Sequence, residues 1–139
     1  MQAYRASHPR GYGSVREARR ALSAFAAGCG FCGTLLSDVE SATGEALANA
    51  AEHGNCEAAA GFDVTATFEN ARLAIEVKDH GTGFDCGAAL ERDAPDACGN
   101  RGFGIYLMRM LMDEVAYSDR GSRILLVKRL GERRFPSLT

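Results

Sequence analysis

The chain has 139 residues, of which 46% are hydrophobic and 24% charged, and its formal net charge is −2 at pH 7. This length predicts a single domain over residues 1–139 with a real core, and the composition is typical of a soluble globular protein. The basic residues are dispersed, which argues against a nucleic-acid-binding surface. No apolar run approaches the roughly 20 residues of a membrane span, and the first residues lack a secretory apolar stretch, so we expect a cytoplasmic protein.

The first predicted element is an amphipathic helix at residues 14–27, and no regular element is predicted before it. Ser14 is of a type that often caps a helix amino terminus, so we assign it as the N-cap. The apolar stripe of this helix has the expected spacing and consists of Val15, Ala18, Leu22 and Phe25.

Two of the five cysteines, Cys29 and Cys32, form a C-x-x-C after this helix. An odd number of cysteines argues against a closed disulfide framework, and no second C-x-x-C completes a zinc site. We interpret both residues as reduced thiols.

A second helix is predicted at about residues 34–52, with small apolar residues on its core stripe: Val39, Ala42, Ala46 and Ala50. Beside that stripe lie Glu45, Asn49 and His53, each about 6 Å further along and about 40° further round than the one before. An Asn oxygen suits Mg²⁺, and a carboxylate one turn earlier can orient or deprotonate a hydroxyl group. The same spacing is common on solvated helices, so alone it does not define a site.

After this helix, the spacing of the apolar residues changes from the helical period of 3.6 residues to the strand period of 2 residues. Residues 62–68 and 72–78 alternate apolar and polar side chains and predict two strands, joined by a hairpin turn at Glu69 and Asn70. The second strand ends at Asp79, followed by the glycine turn of "DHGTGFD". An aspartate there can accept a hydrogen bond from an exocyclic amino group such as that of adenine, while glycines let the backbone approach a ring or a phosphate. An ordinary Asp-Gly turn is the alternative.

Residues 79–101 are rich in Gly, Asp, Ala and Cys and predict a long loop, with a short helical turn near residues 88–92. A loop of that length in a compact domain often acts as a lid. It leads into "GNRGFGIYLM", where Gly102-x-Gly104 opens a helix predicted at about residues 104–112. Free N–H groups at such a helix start can bind phosphate, although an ordinary helix start has the same features.

Two final strands, "EVAYSD" and "RILLVKRL", are predicted to join around Arg120 and Gly121. Helices followed by antiparallel hairpins predict an α+β fold, with helices on one face of a mixed, mostly antiparallel sheet.

The order of the three polar segments is much rarer than any one of them. Together they resemble the N, G1 and G2 boxes of the GHKL (histidine kinase-like) ATPase superfamily: Glu45 and Asn49, then Asp79 with Gly81 and Gly83, then Gly102 and Gly104. The resemblance covers about residues 15–130. Within the superfamily the chain most resembles the bacterial anti-sigma factor serine kinases, which also end in a phrase like "LMDEVAYSDRGSRILLVKRL".

This resemblance implies a two-layer sandwich, the Bergerat fold, which binds Mg·ATP between the helices and a lid at about residues 85–100. It implies that Asn49 coordinates Mg²⁺, that Glu45 is the catalytic residue that orients or activates the attacking hydroxyl, and that Asp79 binds adenine. The other ATP contacts that it implies are His53 in a supporting role, Gly81, Gly83 and Phe84 in the nucleotide pocket, Arg101, Gly102, Phe103 and Gly104 at the phosphates, and Ser122 in place of the family's usual threonine.

The resemblance further implies a serine/threonine kinase that phosphorylates a STAS-domain anti-anti-sigma protein. As a homodimer, it would also hold an RNA polymerase sigma factor inactive. Arg19 aligns with a family arginine used in partner contacts, although a solvated basic helix face explains it equally well. No nucleic-acid or membrane partner is expected.

Two alternatives remain open from the sequence. One is an ATP-gated binding module that transfers no phosphate. The other is a detached sensor-kinase catalytic domain that phosphorylates a histidine elsewhere. The complete Glu45 and Asn49 pair favours a kinase over the binding module. The chain length, the absence of a phospho-acceptor helical hairpin and the "LMDEV" phrase favour a serine kinase over the sensor-kinase domain.

Overall fold

A computed structural model describes residues 1–9, 11–54, 61–80, 104–118 and 122–131, except for the side chains of residues 12 and 52–54. Within these ranges, eight helices and strands follow one another along the chain. They are β1 (Gln2–His8), α1 (Tyr12–Gly28), α2 (Gly33–Gly54), β2 (Phe62–Glu69), β3 (Arg72–Asp79), α3 (residues 104–111), β4 (Glu114–Ser118) and β5 (Arg123–Arg129).

The five strands form one sheet in the order β1-β2-β3-β5-β4, and every pairing among these strands is antiparallel. The central strand is β3, which pairs with β2 on one side and β5 on the other. Both long helices pack on the sheet, with α1 against β1 and β2 and with α2 against β2, β3 and β5. The predicted α+β fold, with helices covering one face of a sheet, is confirmed.

The core lies between the helix layer and the sheet. Alternate residues of β2 and β3 are buried, as the period of two predicts for strands with one covered face. The predicted stripe of α2 is buried as well, and its alanines let the helix approach the sheet closely. The core residues with no exposed surface include Ala42, Ala46, Val64, Ile75 and Leu126.

The predicted N-cap of α1 is wrong. The helix begins two residues earlier, at Tyr12, and its N-cap is Gly11, with no side-chain cap hydrogen bond. Gly11 has a φ of 130°, a conformation that favours glycine. Ser14 is instead a buried residue in the first turn, where its N–H donates to the Gly11 carbonyl at 3.2 Å. The conformation of Gly11 therefore allows the helix to begin at Tyr12, before Ser14.

The turn between β2 and β3 is one residue later than predicted. Glu69 pairs with Arg72 in the sheet, so the two loop residues are Asn70 and Ala71, with φ values of 55° and 60°. Two positive φ values match the right-handed twist of a hairpin. An alanine rarely adopts this conformation, which explains why the sequence did not mark the turn.

β1 was not predicted. Its pairing runs from Gln2 opposite Phe68 to His8 opposite Phe62, and among its residues only His8 is buried. The inward face of β1 has two partly buried apolar residues, Tyr4 and Ala6, which pack against the core, so its apolar alternation in the sequence is weak. The helical turn predicted near residues 88–92, the lid and the junction at Arg120 and Gly121 lie outside the described residues. Within the described parts, no helix is long and apolar enough to cross a membrane.

Candidate functional site

Glu45 and Asn49 lie on one face of α2, as their spacing predicts. Asn49 is only 8% exposed, whereas Glu45 is half-buried. In the described parts of the chain, no residue hydrogen-bonds to the side-chain amide of Asn49. Its amide oxygen therefore has no donor among the described residues and can act as a ligand. His53 lies one turn further along α2, but its side chain is outside the described residues.

The amino end of α3 meets Glu45. A Cβ built on Gly104 would lie 2.7 Å from Glu45 Oε1, closer than real contacts of this kind. The glycine therefore lets α3 approach the carboxylate. Glu45 of the predicted first box and Gly104 of the third box thus lie next to each other.

Asp79 is the last residue of β3 and lies at the centre of one end of the sheet. Its side chain is on the helix-facing side, in line with Val77 and Ile75, and it is 4% exposed. Its backbone N–H donates to the Ser122 carbonyl at 2.8 Å, which joins the end of β3 to the beginning of β5. The structure therefore brings Asp79 and Ser122 together, as the predicted adenine end requires.

The other end of α3 is held by a charged group that sequence analysis missed. Lys128 lies on the helix-facing side of β5, with its side chain 10% exposed. Its Nζ is 3.3 Å from Asp38 Oδ2 on α2 and also donates to the backbone carbonyl of Leu111, the last residue of α3. The available signals were the inward phase of Lys128 in an apolar strand and the position of Asp38, seven residues before Glu45.

Arg19 lies away from these residues. Its Nε is 3.2 Å from the position that a Cβ on Gly44 would take, so the side chain crosses α2 at the residue before Glu45. A step of one residue turns about 100° around a helix, which separates Arg19 from the face of Glu45. Arg19 instead lines an open groove of about 480 Å³ between α1 and α2, together with Arg16, Arg20, Ser23, Ala24, Ala27 and Glu40.

Ser7, Asp63 and His80 form a hydrogen-bonded cluster near the end of β3, on the side of the sheet that faces away from the helices. Asp63 accepts from Ser7 Oγ at 2.6 Å, and its other carboxylate oxygen lies 2.8 Å from His80 Nε2. Burial alone would raise the pKa of Asp63. The hydrogen bonds from Ser7 and His80, together with the charges of His80 and Lys78, outweigh burial and lower that pKa below its ordinary value.

The two described cysteines are free thiols, as the sequence predicts. Burial raises the pKa of Cys29, which lowers the fraction of its thiolate form at neutral pH. Cys32, in contrast, is exposed. No group of three or more His, Cys, Asp or Glu side chains is placed to hold a metal ion within the described ranges.

The functional groups of the described residues are of the kinds that can bind a nucleotide and Mg²⁺. They provide a buried carboxylate at the sheet end, an amide oxygen on α2 and a glycine helix start beside a second carboxylate. Mg²⁺ commonly takes few protein ligands together with substrate phosphates, which suits a single Asn oxygen. Seven residues of the predicted site have no described side-chain position: His53, Gly81, Gly83, Phe84, Arg101, Gly102 and Phe103.

Comparison with known proteins identifies the family of the chain. The profile of the histidine kinase-like ATPase domain matches residues 9–128. The chain is also similar to the serine-protein kinase RsbW of Bacillus subtilis (strain 168). The two are 33% identical over 129 residues, which cover 83% of this chain and 78% of RsbW. The chain belongs to the histidine kinase-like ATPase family.

Proposed function

We propose that this chain is an ATP-dependent serine/threonine protein kinase of the partner-switching type, which acts in the cytoplasm. One observation carries the proposal: the carboxylate of Glu45 lies against Gly104 of α3, on the same helix face as Asn49. A carboxylate beside the proposed phosphate site can orient an acceptor hydroxyl and take up its proton, a role that phosphoryl transfer uses and nucleotide binding alone does not need. The similarity to a serine-protein kinase supports the same reading.

In this proposal the residues of α2 and β3 have different roles. Asp79 accepts a hydrogen bond from the adenine amino group, and Asn49 supplies an oxygen to Mg²⁺. Glu45 orients the acceptor hydroxyl and takes up its proton. Bound Mg·ATP supplies the phosphoryl group and most of the charge neutralisation. His53, Gly81, Gly83, Phe84, Ser122 and residues 101–104 complete the proposed nucleotide contacts.

The proposed acceptor is a Ser or Thr of a STAS-domain anti-anti-sigma protein, and the second partner is an RNA polymerase sigma factor. We propose that a homodimer of the chain holds the sigma factor. The arginine-lined groove between α1 and α2 is the proposed contact surface for a partner, and Arg19 is one of the residues that line it. Its basic side chains suit an acidic partner surface.

The deciding experiment is incubation of the chain with γ-labelled ATP, Mg²⁺ and a STAS-domain protein from the same genome. Acid-stable label on the STAS protein is the expected result. Label that acid removes would assign the chain to histidine phosphorylation instead. ATP binding without any label would leave a nucleotide-gated binding module.

Glu45→Gln separates chemistry from binding in the same assay. The substitution keeps the size of the side chain and one acceptor oxygen but removes its charge and its ability to take up a proton. We expect ATP binding to persist and transfer to be lost. Equal loss of both would mean that Glu45 has a structural role.

A further inference from the structure

Lys128 is a buried cation that the proposed chemistry does not use. It lies opposite Leu73 in the sheet and shares the helix-facing side of β5 with Ile124 and Leu126, which are both buried. A charge at such a position is costly unless it is paired and hydrogen-bonded. Lys128 meets both conditions, through Asp38 on α2 and the Leu111 carbonyl on α3.

The Leu111 contact closes the carboxyl end of α3. The last carbonyl groups of a helix have no intrahelical donors and carry the negative end of the helix dipole. A lysine ammonium satisfies both, as it does at many helix ends. Lys128 therefore connects three elements at one point: it belongs to β5, caps α3 and pairs with α2.

The same two helices meet again at the nucleotide end. Along α2, Glu45 follows Asp38 by seven residues, and along α3, Leu111 follows Gly104 by seven residues. Each interval is about 10.5 Å of helix. Asp38 is joined to the Leu111 end and Glu45 meets the Gly104 end, so α2 and α3 run antiparallel with matching lengths between their two contacts.

Asp38 also shares a helix face with the site. Seven residues turn about −20° and eleven residues about +20°, so Asp38, Glu45 and Asn49 lie within one narrow stripe of α2. A movement of the carboxyl end of α3 relative to this stripe is transmitted to Gly104 along a short, stiff helix. The contact between α3 and Glu45 then depends on an anchor at the far end of both helices.

We propose that Lys128 is a positioning residue: through Asp38 and the Leu111 carbonyl, it holds α3 so that its amino end stays against Glu45. The inference rests on the proposed function, since that end is where the phosphates bind. Lys128 touches no reacting group. Its loss should therefore impair the phosphate half of the site and spare the adenine half.

The test compares Lys128→Met with wild type and with Arg129→Met. Methionine keeps the apolar stem of Lys128 and removes its ammonium group, while Arg129 is the exposed neighbour that pairs with Glu114 at 3.0 Å on the other side of β5. Affinities for Mg·ATP and for adenosine are measured by calorimetry at a temperature where all variants are folded. Hydrogen exchange of α3 amides is followed in parallel.

We expect Lys128→Met to weaken Mg·ATP binding about tenfold, to leave adenosine binding within about twofold and to accelerate α3 exchange about tenfold. Arg129→Met should change none of the three. Lys128→Arg, which keeps a cation and donors, should restore much of the ATP affinity. Equal weakening of ATP and adenosine, or α3 exchange at the wild-type rate, would overturn the proposal.

A second variant separates positioning from stability. Asp38→Asn combined with Lys128→Met removes the carboxylate that would otherwise be left partly buried without its cation. This double variant should regain most of the lost thermal stability, yet keep the weak ATP binding, because Leu111 still lacks its donor. Recovery of both the thermal stability and the ATP affinity would mean that Lys128 has a structural role and no positioning role. If wild type binds no ATP, the proposed function fails, while α3 exchange still decides whether Lys128 anchors the helix.

Discussion

Gly104 faces the carboxylate of Glu45 so closely that a Cβ at position 104 would lie 2.7 Å from Oε1. The obstructing atom is the far end of a flexible side chain, so a small side chain at position 104 displaces the carboxylate and leaves the backbone in place. The position therefore allows the Glu45 carboxylate to be moved without altering Glu45 itself.

Gly104→Ala should reduce phosphoryl transfer about tenfold to a hundredfold, because a displacement of about 1 Å at a reacting group costs that much. The fold should keep its stability or gain up to about 1 kcal/mol, since alanine is favoured over glycine in a helix. Single-turnover transfer and thermal melting check the two effects. Gly28→Ala is the control, because a Cβ at Gly28 meets open space. Unchanged transfer in Gly104→Ala would contradict the assignment of Glu45.

Asp79→Asn should weaken ATP binding about tenfold to a hundredfold, the effect of losing a hydrogen bond to a charged group. The backbone bond from Asp79 to Ser122 is kept, so the sheet end should remain intact. Titration with ATP and with purine riboside triphosphate, which lacks the exocyclic amino group, measures the contact. Wild type should prefer ATP, and the variant should lose that preference. An unaltered preference would refute the contact.

Asn49→Ala should lower transfer about a hundredfold or more, which corresponds to the loss of about 3 kcal/mol of metal-dependent stabilisation. Adenosine carries no phosphate to share a metal ion, so its affinity should stay within about twofold and serves as the internal control. The measurement is transfer rate against Mg²⁺ concentration. A variant with the same Mg²⁺ dependence as wild type would show that the metal is held elsewhere.

Arg19→Glu should weaken binding of the STAS partner or the sigma factor about tenfold or more, because it reverses a charge that lines the groove. ATP affinity should not change, since Arg19 lies across α2 from Glu45. Calorimetric titration with each partner checks both statements. Arg129→Glu, on the other side of the sheet, is the matched control. Equal loss in the two variants would indicate a general effect of charge rather than a contact.

Asp63 should make fold stability depend on pH in the acid range. Its pKa is lower in the folded chain than in the unfolded one, so the stabilisation is present above about pH 4 and is lost as the pH falls through the folded pKa. The melting temperatures of wild type and Asp63→Asn should differ most above about pH 5 and converge at lower pH. Ser7→Ala, which removes one donor to Asp63, should show part of the same trend. Parallel melting curves at every pH would contradict the linkage.

Local periodicity was enough to predict α1, α2, α3 and four of the five described strands, because each has an apolar face with its own spacing. It failed near the amino end of the chain. The inward face of β1 has two partly buried apolar residues, Tyr4 and Ala6, and the start of α1 depends on the backbone freedom of Gly11.

The candidate site also contains residues that local sequence patterns predict and residues that they do not. Glu45, Asn49 and Asp79 are visible as motif residues, since their spacing within one element is local. The pairing of Lys128 with Asp38 spans 90 residues and is fixed by the antiparallel order of the sheet. No local pattern contains that information, although a lysine on the inward phase of an apolar strand shows that a partner is required.

The place of β1 at the edge of the sheet has a consequence for how the chain folds. It precedes the other described strands along the chain, yet among them it pairs with β2 alone, which follows both long helices. The two helices must therefore be present before β1 has a partner, and closing that large loop precedes the gain from the pairing. We expect the amino-terminal strand to join late, after a nucleus formed by α2 and the β2–β3 hairpin.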